Sequence, residues 1–372
     1  MFDIPFVDLA SQQRVLGNRI QEAINKVLNH GSYVMGPEVF ELEDLLSERA
    51  QRRHCVTCAS GTDALQMALM ALEVKPGDRV VVPDFTFVAT AEAVRLVGAE
   101  PVFADVDPYT YNLDLNSAES AWQLSGPSPV GIVVVDLFGH PAESSALEQL
   151  ARRHDAWLVV DGAQSFGATR DGQSSLSHGA IATTSFYPSK PLGGYGDGGA
   201  VFCDDDQLAS VLRSIRNHGA DVTPGSHSRV GLTGRLDTLQ AAVLLAKLEI
   251  FDSEIMDRQR IAARYSSELP DLLTLPEIAA GVEPVWAQYT VEVEGREVIR
   301  SRLAEVGIPT CVFYPQPVHT NAAYRGFAMV SAGTQVATRA STRVMSLPIH
   351  PYLGESVQDF IVCAFHSALG GR

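Results

Sequence analysis

Residues 157–164 of the chain read WLVVDGAQ, an apolar run that ends in an acidic residue and a turn. The run is continuous in apolar side chains instead of alternating with polar ones, which is typical of a strand covered on both faces. Asp161 stands where the strand ends, and open α/β sheets build their sites at the carboxyl ends of strands. The stretch therefore predicts a buried strand with a carboxylate at the functional edge of a sheet.

Similar runs recur along the first half of the chain, with helix-like stretches between several of them. This alternation predicts βαβ units around a mostly parallel sheet. The last two runs have no helix between them, which predicts that one of those strands is antiparallel. The further runs are residues 80–83, 101–106, 131–137, 183–187 and 199–203, and the helix-like stretches are residues 63–72, 89–97 and 146–154.

The pattern changes after about Gly225, where a long helix is predicted at 236–265. Beyond it the elements of a smaller α+β domain are expected: an alternating, half-buried strand at 289–293, a helix at 298–306, a strand near 310–314 and a helix after 355, with an exposed connection at 270–283. We therefore expect a large α/β domain at residues 1–250 and a small C-terminal domain at residues 251–372.

Composition excludes several classes of function. The 372 residues contain 28 Lys and Arg against 44 Asp and Glu, a formal charge of −16. Such a chain repels nucleic-acid backbones and anionic lipid surfaces, so neither is an expected partner. The N-terminus lacks the features of a signal peptide, no apolar run is long enough to cross a bilayer, and five cysteines do not suggest a disulfide framework. We expect a cytoplasmic protein.

Residues 59–65, ASGTDAL, come just before an apolar helix. A small turn at a helix N-terminus offers free backbone N–H groups and the positive end of the helix dipole, which suits a phosphate. An ordinary N-cap by Ser60 or Thr62 explains the same residues equally well.

Residues 184–199 read TSFYPSKPLGGYGDGG and place Lys190 directly after a strand. A lysine held among glycines and prolines can form a Schiff base, and desolvation would lower its pKa toward reactivity. Asp161, if buried, needs a cationic partner. The simpler alternatives are a loop lysine and an aspartate that caps the following turn.

Two other motifs do not predict a functional site. The GxGxxG at residues 194–199 is followed by a strand instead of a helix, so a nicotinamide oxidoreductase remains only a weak alternative. The CxxC at residues 55–58 has no second pair, and the histidines are scattered, so no metal site is expected.

The order of the three candidates is more specific than any one of them. A phosphate turn, a strand-end aspartate and a glycine-flanked lysine meet the needs of pyridoxal phosphate (PLP), which requires a phosphate site, an anion at its ring nitrogen, a Schiff-base lysine and a stacking aromatic ring. Phe87, between the first two motifs, is the candidate for the aromatic ring.

With these motifs in place, the chain resembles the DegT/StrS-type sugar aminotransferases, which are fold type I PLP enzymes. The resemblance covers nearly the whole chain and is carried by the blocks at residues 5–9, 33–38, 60–65, 86–90, 161–168, 182–193, 235–237 and 345–351. It implies a large domain with a mixed, mostly parallel sheet flanked by helices. The blocks at 161–168 and 182–193 are most similar to the branch that aminates UDP-3-keto-N-acetylglucosaminuronic acid with L-glutamate for surface polysaccharide.

The resemblance also implies roles for individual residues. Lys190 would form the Schiff base, and Asp161 would face the ring nitrogen. Gln164 would reach the 3-hydroxyl of the ring, while Phe87 would stack on it. The phosphate would be held by Gly61, Thr62 and Ser185. Because Lys190 is present instead of a histidine, the family's sugar-dehydratase branch is not favoured.

The family forms homodimers in which a Gly-x-Asn-x-Arg stretch of one subunit completes the site of the other. Residues 231–235 read GLTGR here, so Thr233 replaces the asparagine and predicts a weaker or water-mediated phosphate contact. A uronate needs a cation, and Arg229 or the retained Arg235 could supply it. His319 as a neutral donor and Tyr314 are further candidates for the sugar site. All four could equally be interface or solvated residues.

Three alternatives stay open. The substrate could be another nucleotide-linked ketosugar aminated at C3 or C4. A fold type I lyase or desulfurase could use the same cofactor set. A non-enzymatic regulator could keep the fold and bind the cofactor without turnover.

Overall fold

The computed structural model describes residues 3–370. In chain order the strands are β1 His54–Cys58, β2 Arg79–Pro83, β3 Glu100–Ala104, β4 Pro129–Val135, β5 Trp157–Asp161, β6 Thr169–Arg170, β7 Gln173–Ser174, β8 Ile181–Ser185, β9 Gly199–Cys203, β10 Val282–Glu283, β11 Tyr289–Glu292 and β12 Val344–Leu347. The α-helices are α1 Leu9–Leu16, α2 Arg19–His30, α3 Pro37–Ala50, α4 Gly61–Ala71, α5 Ala89–Leu96, α6 Leu115–Ser120, α7 Ser144–Arg153, α8 Asp206–Arg216, α9 Thr238–Glu268, α10 Arg296–Glu305, α11 Gln335–Arg343 and α12 Glu355–Gly370.

Seven strands form the main sheet in the order β1-β9-β8-β5-β4-β2-β3. The pairs β2–β3, β2–β4, β4–β5 and β5–β8 are parallel, whereas β9 runs antiparallel to both β8 and β1. The six predicted strands and the single antiparallel member are therefore confirmed, and β5 and β9 have the predicted bounds. The predicted mixed α/β fold is also confirmed.

Both faces of the main sheet are covered, which explains the continuous apolar runs. Val81, Val134 and Val160 point to one face, where α3, α7 and the first part of α9 pack. Val82 and Val159 belong to the opposite face, which α4, α5 and α8 cover. Burial of valines on both sides stabilises the sheet by about 1.5–3 kcal/mol for each side chain removed from water.

The C-terminal part packs β11 and β12 against α10, α12 and the second half of α9. Helix α9 is one continuous element that passes residue 250, and the division of the chain at that residue stays a prediction. None of the helices between residues 3 and 370 is both long enough and apolar enough to span a membrane.

Two predicted elements of this part are wrong. Strand β11 is buried on both faces instead of half-buried, because Thr290 shares a hydrogen bond of 2.8 Å with Ser346 and Glu292 accepts one of 3.0 Å from Tyr111. Residues 310–314 form no strand, and only Cys311 makes an isolated bridge to the edge of the two-stranded sheet. Prolines on both sides of that segment remove the N–H groups that a longer ladder would need.

Candidate active site

Three connections meet at the carboxyl edge of the main sheet. Strand β1 leads into α4, β5 ends at Asp161, and β8 ends at Ser185; these strands point the same way, so their ends share one edge. A cavity of about 510 Å³ lies there. Its lining is Ser60, Gly61, Thr62, Leu65, Thr86, Phe87, Ala89, Val135, Asp161, Ala163, Gln164, Ser185, Tyr187, Ser189, Lys190, Asp197, Gln288, Phe313 and Tyr314.

The first turn of α4 forms one wall of the cavity. Ser60 caps the helix by accepting a hydrogen bond of 3.0 Å from the Asp63 N–H, so the capping explanation holds for this residue. The N–H groups of Gly61 and Thr62 have no acceptor among the described residues, as expected for the start of a helix. A Cβ atom on residue 61 would lie 2.7 Å from the Cβ of Ser185, so only glycine allows this approach. The turn can bind an anion through two backbone N–H groups and the Ser185 hydroxyl.

Asp161 is buried at the end of β5, and both of its carboxylate oxygens are bonded. Oδ2 accepts a hydrogen bond of 2.9 Å from the Thr90 hydroxyl, and Oδ1 accepts one of 3.1 Å from the Ala163 N–H. Burial raises the pKa of Asp161, and these hydrogen bonds and the charge of Lys190 oppose that shift. The side chain caps the turn, and a cationic group in the cavity would favour its charged form.

Lys190 enters the cavity from the loop between β8 and β9. Its backbone N–H donates to the Tyr187 carbonyl over 2.9 Å, whereas its ammonium has no hydrogen bond or ion pair within residues 3–370. Burial lowers the pKa of Lys190, and the charge of Asp161 opposes the shift. An unpaired amine with a lowered pKa is more often neutral and hence nucleophilic toward a carbonyl group.

Gln164 and Tyr314 form a polar pair on the wall beside Asp161. The Phe138 N–H donates to Gln164 Oε1 over 2.7 Å, which fixes the carboxamide, and Gln164 Nε2 donates to the Tyr314 hydroxyl over 3.3 Å. Burial raises the pKa of Tyr314, which therefore stays protonated. Phe87 packs with its ring centroid 6.1 Å from that of Tyr314, yet 53% of its surface is exposed. An exposed aromatic face can stack on a flat ligand.

Four of the predicted site residues do not line this cavity. Arg229 is exposed, and Arg235 donates a hydrogen bond of 2.7 Å to Asn217. Thr233 shares a hydrogen bond with His218 at 3.1 Å, on the same surface segment. His319 pairs with the buried Asp84, with 2.5 Å between Nδ1 and Oδ2.

Other residues of the site were not predicted from the sequence. Thr90 holds the Asp161 carboxylate from the start of α5, and its only sequence signal was its place in the block that contains Phe87. Gln288 lines the cavity from the C-terminal part, and its side-chain oxygen is buried without a hydrogen-bond donor among the described residues. Both depend on contacts between distant parts of the chain.

Comparison with known proteins agrees with this geometry. The sequence model of the DegT/DnrJ/EryC1/StrS aminotransferase family matches residues 14–366. The chain is 47% identical, over 97% of its length and 99% of the relative's, to UDP-2-acetamido-2-deoxy-3-oxo-D-glucuronate aminotransferase of Pseudomonas aeruginosa. It is 40% identical, over 99% and 98% of the two chains, to UDP-N-acetyl-3-dehydro-alpha-D-glucosamine 3-aminotransferase of Acidithiobacillus ferrooxidans.

Solved structures give the same result. A DegT DnrJ EryC1 StrS aminotransferase from Brucella abortus superimposes with a TM-score of 0.97 at 44% identity, covering 99% of this chain and 100% of that one. The ntda protein from Bacillus subtilis, solved with bound cofactor PMP, superimposes with a TM-score of 0.87 at 27% identity, covering 95% and 82%.

Proposed function

This chain belongs to the DegT/DnrJ/EryC1/StrS aminotransferase family, and from that premise we propose that it transfers the amino group of L-glutamate to UDP-3-keto-N-acetylglucosaminuronic acid. The protein is a PLP-dependent aminotransferase of nucleotide-linked keto-sugars. The observation that carries the proposal is that Lys190, Asp161 and the first turn of α4 line one cavity.

The residues of the cavity fit PLP. Glycine at position 61 lets Ser185 approach the turn closely, and the N–H groups of Gly61 and Thr62 lack acceptors among the described residues. Phe87 offers an exposed ring, and Gln164 offers an amide donor beside Asp161. We assign the phosphate to Gly61, Thr62 and Ser185, the ring face to Phe87, the ring hydroxyl to Gln164 and the covalent link to Lys190.

Bound PLP supplies an electron sink for the carbanion that forms when the proton leaves the carbon bearing the amino group. Asp161 would keep the ring nitrogen protonated and so strengthen that sink, because a buried carboxylate stabilises an adjacent positive charge. With the cofactor bound, Lys190 Nζ would accept the proton from the α-carbon of the amino donor and would donate it to the cofactor carbon that takes up the amino group. Its lowered pKa suits a group that must both accept and donate a proton.

The choice of a uronate rests on similarity, since the Pseudomonas aeruginosa relative acts on a 3-oxo-glucuronate. Among residues 3–370 of one chain, Lys190 is the single cation that lines the cavity, and the cofactor would occupy it. The substrate carboxylate therefore needs a cation from elsewhere. We propose that Arg229 or Arg235 of a second subunit provides it in a homodimer, with Tyr314 facing the sugar. Thr233 would then make the cross-subunit phosphate contact.

The cellular setting is part of the same proposal. The five cysteines are free thiols, and Cys55 and Cys58 of the CxxC are buried in β1, as expected for a reducing compartment such as the cytoplasm. The aminated sugar would enter surface-polysaccharide synthesis, including O-antigen. Residues 1–250 would form the domain that carries the cofactor, and residues 251–372 would form the smaller domain over it.

Two half-reactions test this function, one assayed with glutamate and the other with the keto-sugar. The purified enzyme should form 2-oxoglutarate from L-glutamate, and the aminated cofactor form should then return to PLP faster with the UDP-linked 3-keto uronate than with UDP-3-keto-N-acetylglucosamine. Equal rates would remove the uronate specificity. Failure to form 2-oxoglutarate would remove the aminotransferase function, and the Lys190→Ala variant serves as the inactive control.

A further inference from the structure

Lysine is rare in this chain, and one of its lysines is buried without a role in the chemistry described so far. The four lysines are Lys26, Lys75, Lys190 and Lys247. Lys26 and Lys75 are exposed, and Lys190 faces the cavity. Lys247 is only 1% exposed, in the middle of α9, and forms no ion pair within residues 3–370. A buried ammonium costs free energy unless it has a specific partner.

The partner of Lys247 is the loop that carries Lys190. Lys247 Nζ donates a hydrogen bond of 2.6 Å to the Gly193 carbonyl and lies 4.5 Å from the centroid of the Tyr195 ring. Gln240, two turns earlier on α9, accepts a hydrogen bond of 2.8 Å from the Tyr195 N–H. Helix α9 thus holds residues 193–195 by an ammonium, a cation–π contact and an amide.

The held segment is rigidly connected to Lys190. A Cβ on residue 193 would lie 2.5 Å from the Pro188 carbonyl oxygen, so the turn closes tightly on itself. The Gly194 N–H donates to the Phe186 carbonyl over 2.8 Å, and the Lys190 N–H donates to that of Tyr187 over 2.9 Å. A shift of residue 193 must therefore move the backbone at Lys190.

We infer that Lys247 is a positioning residue, whose ammonium fixes the glycine-rich loop so that Lys190 Nζ is held in the cavity beside Asp161. The inference rests on the proposed role of Lys190. Stability alone would favour an apolar residue at position 247, because the hydrogen bond and the cation–π contact must offset the burial of a charge. Burial lowers the pKa of Lys247 to about 8, which is the expected sign of that cost.

The Lys247→Met variant tests the inference, with the exposed Lys75→Met as its matched control. Hydrogen exchange at the amides of Lys190, Gly194 and Tyr195 should be about tenfold faster or more in the cofactor-free Lys247→Met enzyme, because a charged hydrogen bond is lost. The dissociation constant for PLP should rise by a similar factor, and kcat should fall with little change in the KM for glutamate. The urea midpoint should stay at or above the parental value. The control should match the parent in every measurement.

Unchanged exchange and PLP affinity in Lys247→Met would overturn the inference, as would a lowered urea midpoint with parental exchange at the three amides. If that variant does not fold, Gln240→Leu is measured in its place and should accelerate exchange at Tyr195 and weaken PLP binding. Parental values in Gln240→Leu would then overturn the inference. A parent enzyme that binds no PLP would instead contradict the proposed function, while exchange in the cofactor-free protein still reports on the loop.

Discussion

Asp161 and Lys190 face one cavity from the neighbouring strand β5 and the loop that follows β8. Burial raises the pKa of Asp161 and lowers that of Lys190, which favours the neutral form of each group. Their mutual attraction opposes both shifts. Neither side chain makes an ion pair with the other. The two groups are therefore separated enough to act on different atoms of one ligand, as the roles that we propose for Asp161 at the ring nitrogen and Lys190 at the reactive carbonyl carbon require.

Loss of the Asp161 carboxylate should impair chemistry more than binding. We expect Asp161→Ala to lower kcat by roughly 10²-fold or more, because the ring nitrogen loses the charge that stabilises its protonated form. The KM for glutamate should change little. Thr90→Val keeps the carboxylate and removes one hydrogen bond, so it should cost about tenfold or less. Steady-state kinetics of the two variants check that Asp161→Ala lowers kcat more than Thr90→Val does. A near-parental kcat for Asp161→Ala would assign that residue to structure.

Subunit mixing tests whether the active site is shared. Lys190→Ala and Arg235→Ala should each be nearly inactive as pure homodimers. In a mixed dimer one site would keep Lys190 of one subunit and Arg235 of the other. Activity should therefore return to about a quarter of the parental value after random reassociation, since half of the dimers are mixed and each has one intact site. No recovery in dimers verified to be mixed would place Arg235 outside the neighbouring site.

The buried pair Glu43–Arg216 should be a stability determinant. Arg216 Nη1 lies 2.5 Å from Glu43 Oε1, and the same oxygen accepts 2.8 Å hydrogen bonds from the N–H and hydroxyl groups of Thr57 in β1. Removing one partner leaves an uncompensated buried charge, so Arg216→Met should lower the free energy of unfolding by about 3–5 kcal/mol. Urea denaturation measures this. Arg152 forms an exposed ion pair with Glu148 over 2.7 Å, so Arg152→Met should change the free energy of unfolding by less than about 1 kcal/mol. Equal effects of the two changes would contradict the prediction.

The burial of His140 predicts part of the loss of folding stability at low pH. Burial lowers the pKa of His140 to about 4, and its Nε2 has no hydrogen-bond partner among the described residues. As pH falls, His140 is therefore protonated in the unfolded chain before it is protonated in the folded protein. The free energy of unfolding that is present above about pH 6.5 decreases as pH falls toward 4. His140→Phe should flatten the pH dependence of the unfolding free energy between pH 6.5 and 4. An unchanged slope in that variant would show that the imidazole does not titrate on unfolding.

The sheet and the core of the site were predictable because they follow from local patterns. Continuous apolar runs identified the strands, and the parallel topology placed Asp161 and Lys190 at one edge. The sequence offered capping as an alternative to a ligand-binding role for Ser60 and Asp161. In the structure both side chains do cap backbone groups, while the cavity remains lined by them.

Other features depend on tertiary contacts that no local pattern encodes. Thr90 reaches Asp161 across 71 positions of the chain, and Lys247 reaches Gly193 across 54. The expected strand at 310–314 does not form, because the prolines on both sides remove N–H groups that a longer ladder would need. Arg229 and Arg235 were candidates from the sequence, but neither lines the cavity of the described chain, and the role that we propose for them requires a second subunit.

The position of the covalent link tests the proposed role of Lys190 most directly. The PLP-loaded enzyme is reduced with borohydride, digested and analysed by mass spectrometry, and a chain with only four lysines makes the result unambiguous. We expect one phosphopyridoxyl group, on Lys190, and none in the Lys190→Ala variant. Modification of Lys247 or of a surface lysine in place of Lys190, or no modification of the loaded enzyme, would contradict it.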